Sequence, residues 1–425
     1  MEYADYPARV GRAFAAMGKA PADPWRPGYH LTPLAGTLGD PNGLCQQGDV
    51  FHIFYVTSPL ACETDQRTPC VWGHCTTTDF VHYTRQPVAL WPDGRRDRDG
   101  VYSGSALWAD GTLFLYYTGN VRHHGEYDYI HAGREQNVLR AESIDGLHFR
   151  HKNTLCTPAP FGYMWECPDY AVVDGQPLLI CCPQGVPHEA YRFANSHQCG
   201  CFPMEGELTG EAVLGDFVPF DYGFDYYAAR TLKAADGRVI LFGWMGMSEC
   251  DYGRTPSAQR GWDQVLAMPR ELHWKDGTLR QTPLRELEAL RGPGRKADGA
   301  CGFAADSRRC RLRLEIRPGS DAALSLFEDG RLDYSAAEGV LTLVLGPICG
   351  AGRTARRMRC HCLRGLDLYL DSSTLEVFVN GGEAVLTSRI FGAEGRVVVE
   401  PFEGTVEFCE MNAFVLEDAD ADSIS

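Results

Sequence analysis

The sequence predicts an all-β protein, a β-propeller followed by a β-sandwich, and three observations carry that expectation. Strand-like runs at Val50 to Thr57, Leu113 to Thr118, Pro177 to Cys182 and Arg238 to Trp244 are short and apolar. Turn signals separate them at Gly48-Asp49, Asp110-Gly111, Asp145-Gly146, Asp174-Gly175, Asp236-Gly237 and Asp276-Gly277, and strands of about 5–8 residues joined this way form an antiparallel meander. An approximate recurrence of roughly 40–50 residues is that of propeller blades. The 46 glycines, 25 prolines and 11% aromatic content suit many short strands and tight turns.

At 425 residues the chain exceeds what one hydrophobic core usually supports, so two domains are expected. Residues 1–28 form a lead segment, with a short helix around Val10 to Lys19 and then the proline-rich Pro21 to Pro27. Residues 29–291 make the propeller and 295–416 the sandwich. Between them Pro283 to Arg291 reads as a short helix, with Leu284, Leu287 and Leu290 on one side, broken by Gly292-Pro293-Gly294. The sandwich strands are expected at Cys310 to Ile316, Ala322 to Phe327, Val340 to Leu345, Leu366 to Asp371, Leu375 to Asn380, Arg396 to Glu400 and Thr405 to Met411. Glu417 to Ser425 is acidic and expected to fray.

A formal charge of −16 repels polyanions, which argues against nucleic acid or an anionic membrane as partner. A neutral sugar is indifferent to that field, whereas a phosphorylated one needs a local basic pocket. No window approaches the ~18–20 apolar residues of a spanning helix, and Met1 to Tyr29 lacks the apolar core of a signal peptide. The seventeen cysteines are an odd count in a chain too long for a disulfide scaffold, which fits reduced thiols and a cytoplasmic protein. The spacings in His197-Gln198-Cys199-Gly200-Cys201 and Cys360-His361-Cys362 do not suit zinc, because alternate residues of a strand cannot easily converge on one ion. No metal or other cofactor is expected, and oligomeric state is left open. The basic run Arg353 to Arg359 reads as a solvated loop.

The chemistry is expected from two acids 126 positions apart: Asp40 in Gly39-Asp40-Pro41-Asn42-Gly43 and Glu166 in Trp165-Glu166-Cys167-Pro168-Asp169. Cleaving a glycosidic bond with retention needs two carboxyls about 5–5.5 Å apart, one a nucleophile and one a proton donor. A ring-shaped fold can bring such distant positions together.

These motifs, together with Tyr29-His30-Leu31-Thr32-Pro33, Trp72-Gly73-His74, Tyr102-Ser103-Gly104-Ser105-Ala106, Tyr117-Thr118-Gly119-Asn120, Gly223-Phe224-Asp225-Tyr226-Tyr227-Ala228, Gly243-Trp244-Met245-Gly246, Met268-Pro269-Arg270-Glu271-Leu272 and Leu375 to Asn380, occur in an ordered series. The series resembles family 32 of the glycoside hydrolases, the β-fructosidases, over roughly Trp25 to Phe414. The resemblance implies a five-bladed propeller with its site in the axial funnel. It also implies Asp40 as nucleophile, Glu166 as acid/base, and Trp72, Tyr102 and Ser103 lining the pocket for the fructosyl unit of a small carbohydrate substrate, such as sucrose, sucrose 6-phosphate or a fructo-oligosaccharide.

Three departures from the family pattern cluster at that pocket. The family's polar run ahead of the nucleophile is here Thr37-Leu38-Gly39, which puts Leu38 and Gly39 at the substrate, and a glutamine of the next strand is replaced by Val56. The family's Arg-Asp-Pro carboxylate has no counterpart: Arg150 is followed by His151-Lys152, and Phe161-Gly162-Tyr163 arrives only a few residues later. About one blade's worth of chain is therefore absent, with Asp225 as a stand-in acid from a later blade. These departures leave an alternative, a catalytically impaired carbohydrate-binding protein on the same scaffold.

Overall fold

The structure, a computed structural model, describes residues 5–19, 22–63, 68–121, 150–206, 208, 212–250, 252 and 255–419, with the backbone of 138–142. Helix α1 (Tyr6–Met17) begins with Pro7 in its first turn and lays Tyr6, Val10 and Ala13 against Leu60 and Val71. It starts four residues earlier than the sequence suggests, because Tyr6 anchors its first turn through a hydrogen bond from its hydroxyl to the Pro69 carbonyl.

Strands β1 (Gly36–Gln47), β2 (Val50–Ser58), β3 (Val71–Thr77) and β4 (His82–Leu90) form the first antiparallel sheet in chain order. Two two-stranded ladders follow: β5 (Gly100–Ala109) with β6 (Thr112–Asn120), and β7 (Val138–Glu142) with β8 (Arg150–Leu155). Together these ladders hold four strands among the described residues. A second full sheet contains β9 (Met164–Val173), β10 (Gln176–Gln184), β11 (Gly200–Gly206) and β12 (Ala212–Leu214), with β13 (Val218–Pro219) against β11.

The last propeller sheet starts with β14 (Tyr227–Lys233) and β15 (Val239–Met245). After β16 (Trp262–Asp263) and β17 (Val265–Leu266) it is completed by β18 (Arg270–Lys275) and β19 (Thr278–Pro283). The ring is tied by β16, which leaves this sheet and pairs in parallel with β1, Gly36 against Trp262 and Thr37 against Asp263. Three Asp-Gly turns, at Asp110, Asp174 and Asp276, place both central residues at positive φ, the geometry that matches strand twist in a two-residue hairpin. The turn expected at Asp145-Gly146 lies outside the described residues.

The sandwich has two six-stranded sheets. Its strands are β20 (Arg291–Asp298), β21 (Phe303–Asp306), β22 (Arg309–Ile316), β23 (Ala322–Leu326), β24 (Gly330–Ser335), β25 (Val340–Leu345) and β26 (Ala355–Arg359). They continue with β27 (Gly365–Asp371), β28 (Thr374–Val379), β29 (Ala384–Arg389), β30 (Arg396–Val399) and β31 (Gly404–Met411). Leucine-rich inner faces, including Leu312, Leu324, Leu341, Leu368 and Leu386, share one core.

Three boundaries differ from the sequence reading. The segment expected as a helix up to Arg291 is a 3₁₀ turn, Arg285–Leu290. Gly292-Pro293-Gly294 then lies inside β20, where an irregularity between Arg291 and Gly294 absorbs the proline that cannot donate to a ladder. The chain also returns to the propeller at its end: β32 (Val415–Asp418) adds in parallel to β4, with Arg85 bound to Asp418 at 2.6 Å.

The two bodies meet through buried charge. Arg270, fully buried, binds Glu376 at 2.8 Å and Asp221 at 3.1 Å and lies over the Tyr226 ring. His30 sits between Asp371 and Glu376, and these two hydrogen bonds hold its pKa above the ordinary value even though burial pulls the other way. Two arginines of the run Arg353 to Arg359, expected to be solvated, instead fasten this seam, while Arg357 and Arg359 are exposed: Arg353 makes two bonds of 2.7 Å to Asp225, and Arg356 binds the Asn195 side chain at 2.6 and 3.0 Å. Among the described residues no helix is long and apolar enough to cross a membrane.

Removing one member of a buried pair leaves the other charge uncompensated. Asp225→Ala and Arg353→Ala are each expected to cost about 3–5 kcal/mol in urea denaturation, and the double variant less than their sum.

Candidate functional site

A cavity of about 450 Å³ lies where the inner strands of the sheets converge, and both predicted acids line it. Its wall includes Gly39, Asp40, Val56, Tyr102, Ser103, Glu166, Cys167, Tyr227, Arg230 and Trp244. A more apolar cavity of about 710 Å³ beneath α1 contains neither carboxylate.

One local device recurs at each wall. In a regular strand, side chains alternate between faces, and an extra residue resets that alternation. The β1–β2 register shifts between Leu38 and Pro41, around Asp40. In β5 it shifts between Tyr102 and Gly104, at Ser103. In β9 it shifts beside Glu166, where Cys182 faces Glu166 and Ile180 faces Asp169, with Cys167 at φ 51°. In β14 it shifts between Tyr227 and Arg230, with Ala228 also at φ 51°.

The consequence is that residues three apart reach the same neighbour. Glu166 accepts a hydrogen bond from the Tyr227 hydroxyl at 2.9 Å, while Asp169 accepts from the Thr231 backbone N–H and hydroxyl at 2.7 Å each. Arg230 donates to the Pro168 carbonyl at 2.5 Å. Behind Tyr227, Gln184 donates to its hydroxyl at 3.4 Å and accepts from Tyr163 at 3.1 Å. On the opposite wall Ser103 donates a short hydrogen bond to Asp40. The Asn42 amide donates to the Asp40 carbonyl at 2.9 Å and its oxygen accepts from the Gly104 N–H at 2.9 Å, which locks β1 to β5.

Burial pushes both carboxyls above their ordinary values, and their neighbours then act differently on each. Asp40 is drawn back down by the Ser103 hydrogen bond and the Arg230 charge. Glu166 is drawn down by the Tyr227 hydrogen bond but pushed up again by the charge of Asp40. The charge of Asp40 thus acts against ionisation of Glu166.

The structure gathers Asp40, Glu166, Gly39, Tyr102 and Ser103 in one cavity as the sequence suggests, and puts three expected residues elsewhere. Leu38 is buried in the propeller core, because its place in β1 turns it to the face opposite the cavity. Trp72 is fully buried against Phe54 and donates its indole N–H to the Tyr102 carbonyl at 3.1 Å, so it supports the wall from behind. Asp225 is not a stand-in acid: it is fully buried and claimed by Arg353, 128 positions away. Reading the sequence missed Tyr227 and Arg230. The signal is the pair Ala228-Ala229, small residues where a bulge follows two tyrosines.

Comparisons with known proteins bear on the family and the fold. The model of the glycosyl hydrolases family 32 N-terminal domain matches residues 30–141 and 129–283, and that of the family 32 C terminal matches 363–413. The chain is 34% identical to a sucrose-6-phosphate hydrolase of Klebsiella pneumoniae, over 95% of this chain and 96% of that one, and 31% identical to one of Bacillus subtilis, over 89% and 91%. The Klebsiella alignment runs over 469 positions, more than the 425 residues here, so this chain carries gaps against its relative. The sucrose-6-phosphate hydrolase of Lactobacillus gasseri superposes with a TM-score of 0.86 at 24% identity, over 98% of both chains. A family 32 β-fructofuranosidase of Bombyx mori superposes with a TM-score of 0.80 at 22% identity, over 96% of this chain and 98% of that one.

The two hydrogen bonds to the acids stabilise their charged forms, so removing either raises the carboxyl's pKa. Carboxyl-carbon NMR titration is expected to show Asp40 moving up in Ser103→Ala and Glu166 moving up in Tyr227→Phe, by about 1 unit each.

Proposed function

Because this chain belongs to family 32 of the glycosyl hydrolases, we propose that it hydrolyses β-fructofuranosidic bonds of the sucrose type by a retaining double displacement, with Asp40 as nucleophile and Glu166 as acid/base. The observation that carries this is the shared cavity, in which the two carboxyls face one another electrostatically across a space of sugar size. Ionised Asp40, oriented by the Ser103 hydroxyl, attacks the anomeric carbon while protonated Glu166 delivers its proton to the leaving oxygen. Glu166, now a carboxylate steadied by Tyr227, then takes a proton from water as that water cleaves the fructosyl-Asp40 ester.

Sucrose 6-phosphate and sucrose are the proposed substrates, supported by the names of the curated relatives and by a Bombyx mori enzyme variant solved with sucrose. None of the seventeen cysteines is joined in a disulfide, which supports the cytosol as its compartment. The relatives lend no support to a silent carbohydrate-binding role.

Released reducing sugar from each substrate is the direct test. Asp40→Asn is expected to lower kcat by roughly 10⁴-fold or more, and Glu166→Gln by about 10²–10⁴-fold. Wild-type protein that binds sucrose without turning it over would overturn the reading. The pH profile is expected to be a bell. Activity rises as Asp40 ionises and falls as Glu166 loses its proton, and both limbs are displaced upward from ordinary carboxyl values by burial.

A further inference from the structure

We infer that Arg230 is a positioning residue for the acid pair: it places a positive charge opposite Asp40 and ties β14 to the bulge that carries Glu166. This deepens the glycosidase reading and rests on it. Among the described residues lining the cavity, Arg230 is the one cation, facing two carboxylic acids. Nothing in the family resemblance assigns it a role.

The geometry argues for placement by design of the strand. Tyr227 and Arg230 are three apart, so a regular strand would send them to opposite faces. The irregularity between them, with Ala228 at φ 51°, brings both to the β9 side, Tyr227 on Glu166 and Arg230 on the Pro168 carbonyl. A single rigid turn of β14 thus holds the acid/base with one residue and its supporting bulge with the other. Arg230 Nε is buried and has no hydrogen-bond partner among the described residues. The side chain is therefore not explained as the closing member of a saturated hydrogen-bond network, and its charge becomes the property to account for.

The surroundings need that charge. Around Asp40 and Arg230 stand Ser103 and Tyr102 on β5, Glu166, Cys167 and Asp169 on β9, Cys182 on β10, Tyr227 on β14 and, beyond β15, Glu249. With Cys70 of the lining, the titratable ones among them are acids, thiols and phenols, and the imidazole in this surround, His197, lies behind the wall against Tyr227 and Glu249. Burial works against the cationic guanidinium while the charges of Asp169 and Asp40 favour it, and its charge in turn favours ionised Asp40. Gly39 and Val56 contribute no charge or polar side chain to the same wall. Arg230 supplies the charged contact that those positions do not.

The test uses the full chain with Arg230→Gln and Arg230→Lys. Asp40 is titrated directly by carboxyl-carbon NMR on aspartate-labelled protein, its signal assigned by its absence in Asp40→Asn. In Arg230→Gln its midpoint is expected to rise by about 1 pH unit or more, and in Arg230→Lys to return most of the way. With the fructoside that wild type cleaves, Arg230→Gln is expected to lower kcat about 10–100-fold, with KM changed less than about threefold and the acidic limb moving up in step. An Asp40 midpoint unchanged in folded Arg230→Gln overturns the inference, as does a loss of activity through stability alone with the limb in place. Should Arg230→Gln not fold, an Arg230→Lys variant with the wild-type midpoint and limb supports the charge, and one with both displaced overturns it. Wild type inactive on every fructoside defeats the glycosidase reading, while the NMR arm still decides the role of Arg230.

Discussion

A strand that pairs regularly with its neighbour cannot aim two polar groups three residues apart at one wall, and the cleft of this protein is built from strands that break that rule. The interruptions at Asp40, Ser103, Glu166 and Tyr227 lie on the four inner strands β1, β5, β9 and β14. Each costs a ladder contact and two demand positive φ from a non-glycine residue, Cys167 and Ala228. Strain of this kind persists only where the surroundings over-determine it. Here the over-determination is visible in the bonds from Tyr227, Arg230 and Thr231 to successive points along the β9 bulge.

Electrostatics then divides labour between two carboxyls that burial treats alike. Among the described residues neither acid has a basic partner within ion-pair distance. Asp40 has a hydroxyl and a guanidinium charge nearby, and Glu166 has a phenol. Asp225 is taken up by Arg353, and the described lining of the cavity carries two acids and one arginine.

What the amino-acid order reveals depends on how local the cause is. The Asp-Gly turns need positive φ at adjacent positions, a local demand, and the strands they bound lie close to where the turns put them. Asp40, Ser103 and Glu166 were legible because each sits in a motif whose glycines and prolines mark a bulge. Leu38 and Trp72 were misplaced because strand parity near a bulge is set by the register of the partner strand. Asp225 misled for a different reason: an acid in an aromatic-rich motif looks functional until Arg353, far along the chain, is seen to neutralise it. The arginine cluster failed for the same cause viewed from the other side. Tyr227 lies inside the motif Gly223 to Ala228 and Arg230 two residues beyond it, and what aims both at the cleft is a register break set by the pairing with β15, which residue types alone do not fix.

The return of β32 to the outer edge of the first sheet makes the connectivity circular in effect. The polypeptide leaves the propeller after β19, completes the sandwich, and then adds its final described strand to β4, next to the helix with which the described chain begins. The ring itself closes through two residue pairs between β16 and β1. The propeller thus takes its outer edge from chain that follows the sandwich, and the arginine seam joins charges of the two bodies, Arg270 to Glu376 and Asp225 to Arg353. The two lobes should melt as a single cooperative unit in calorimetry, and dissecting them at the β19–β20 junction would yield two insoluble halves in place of two domains.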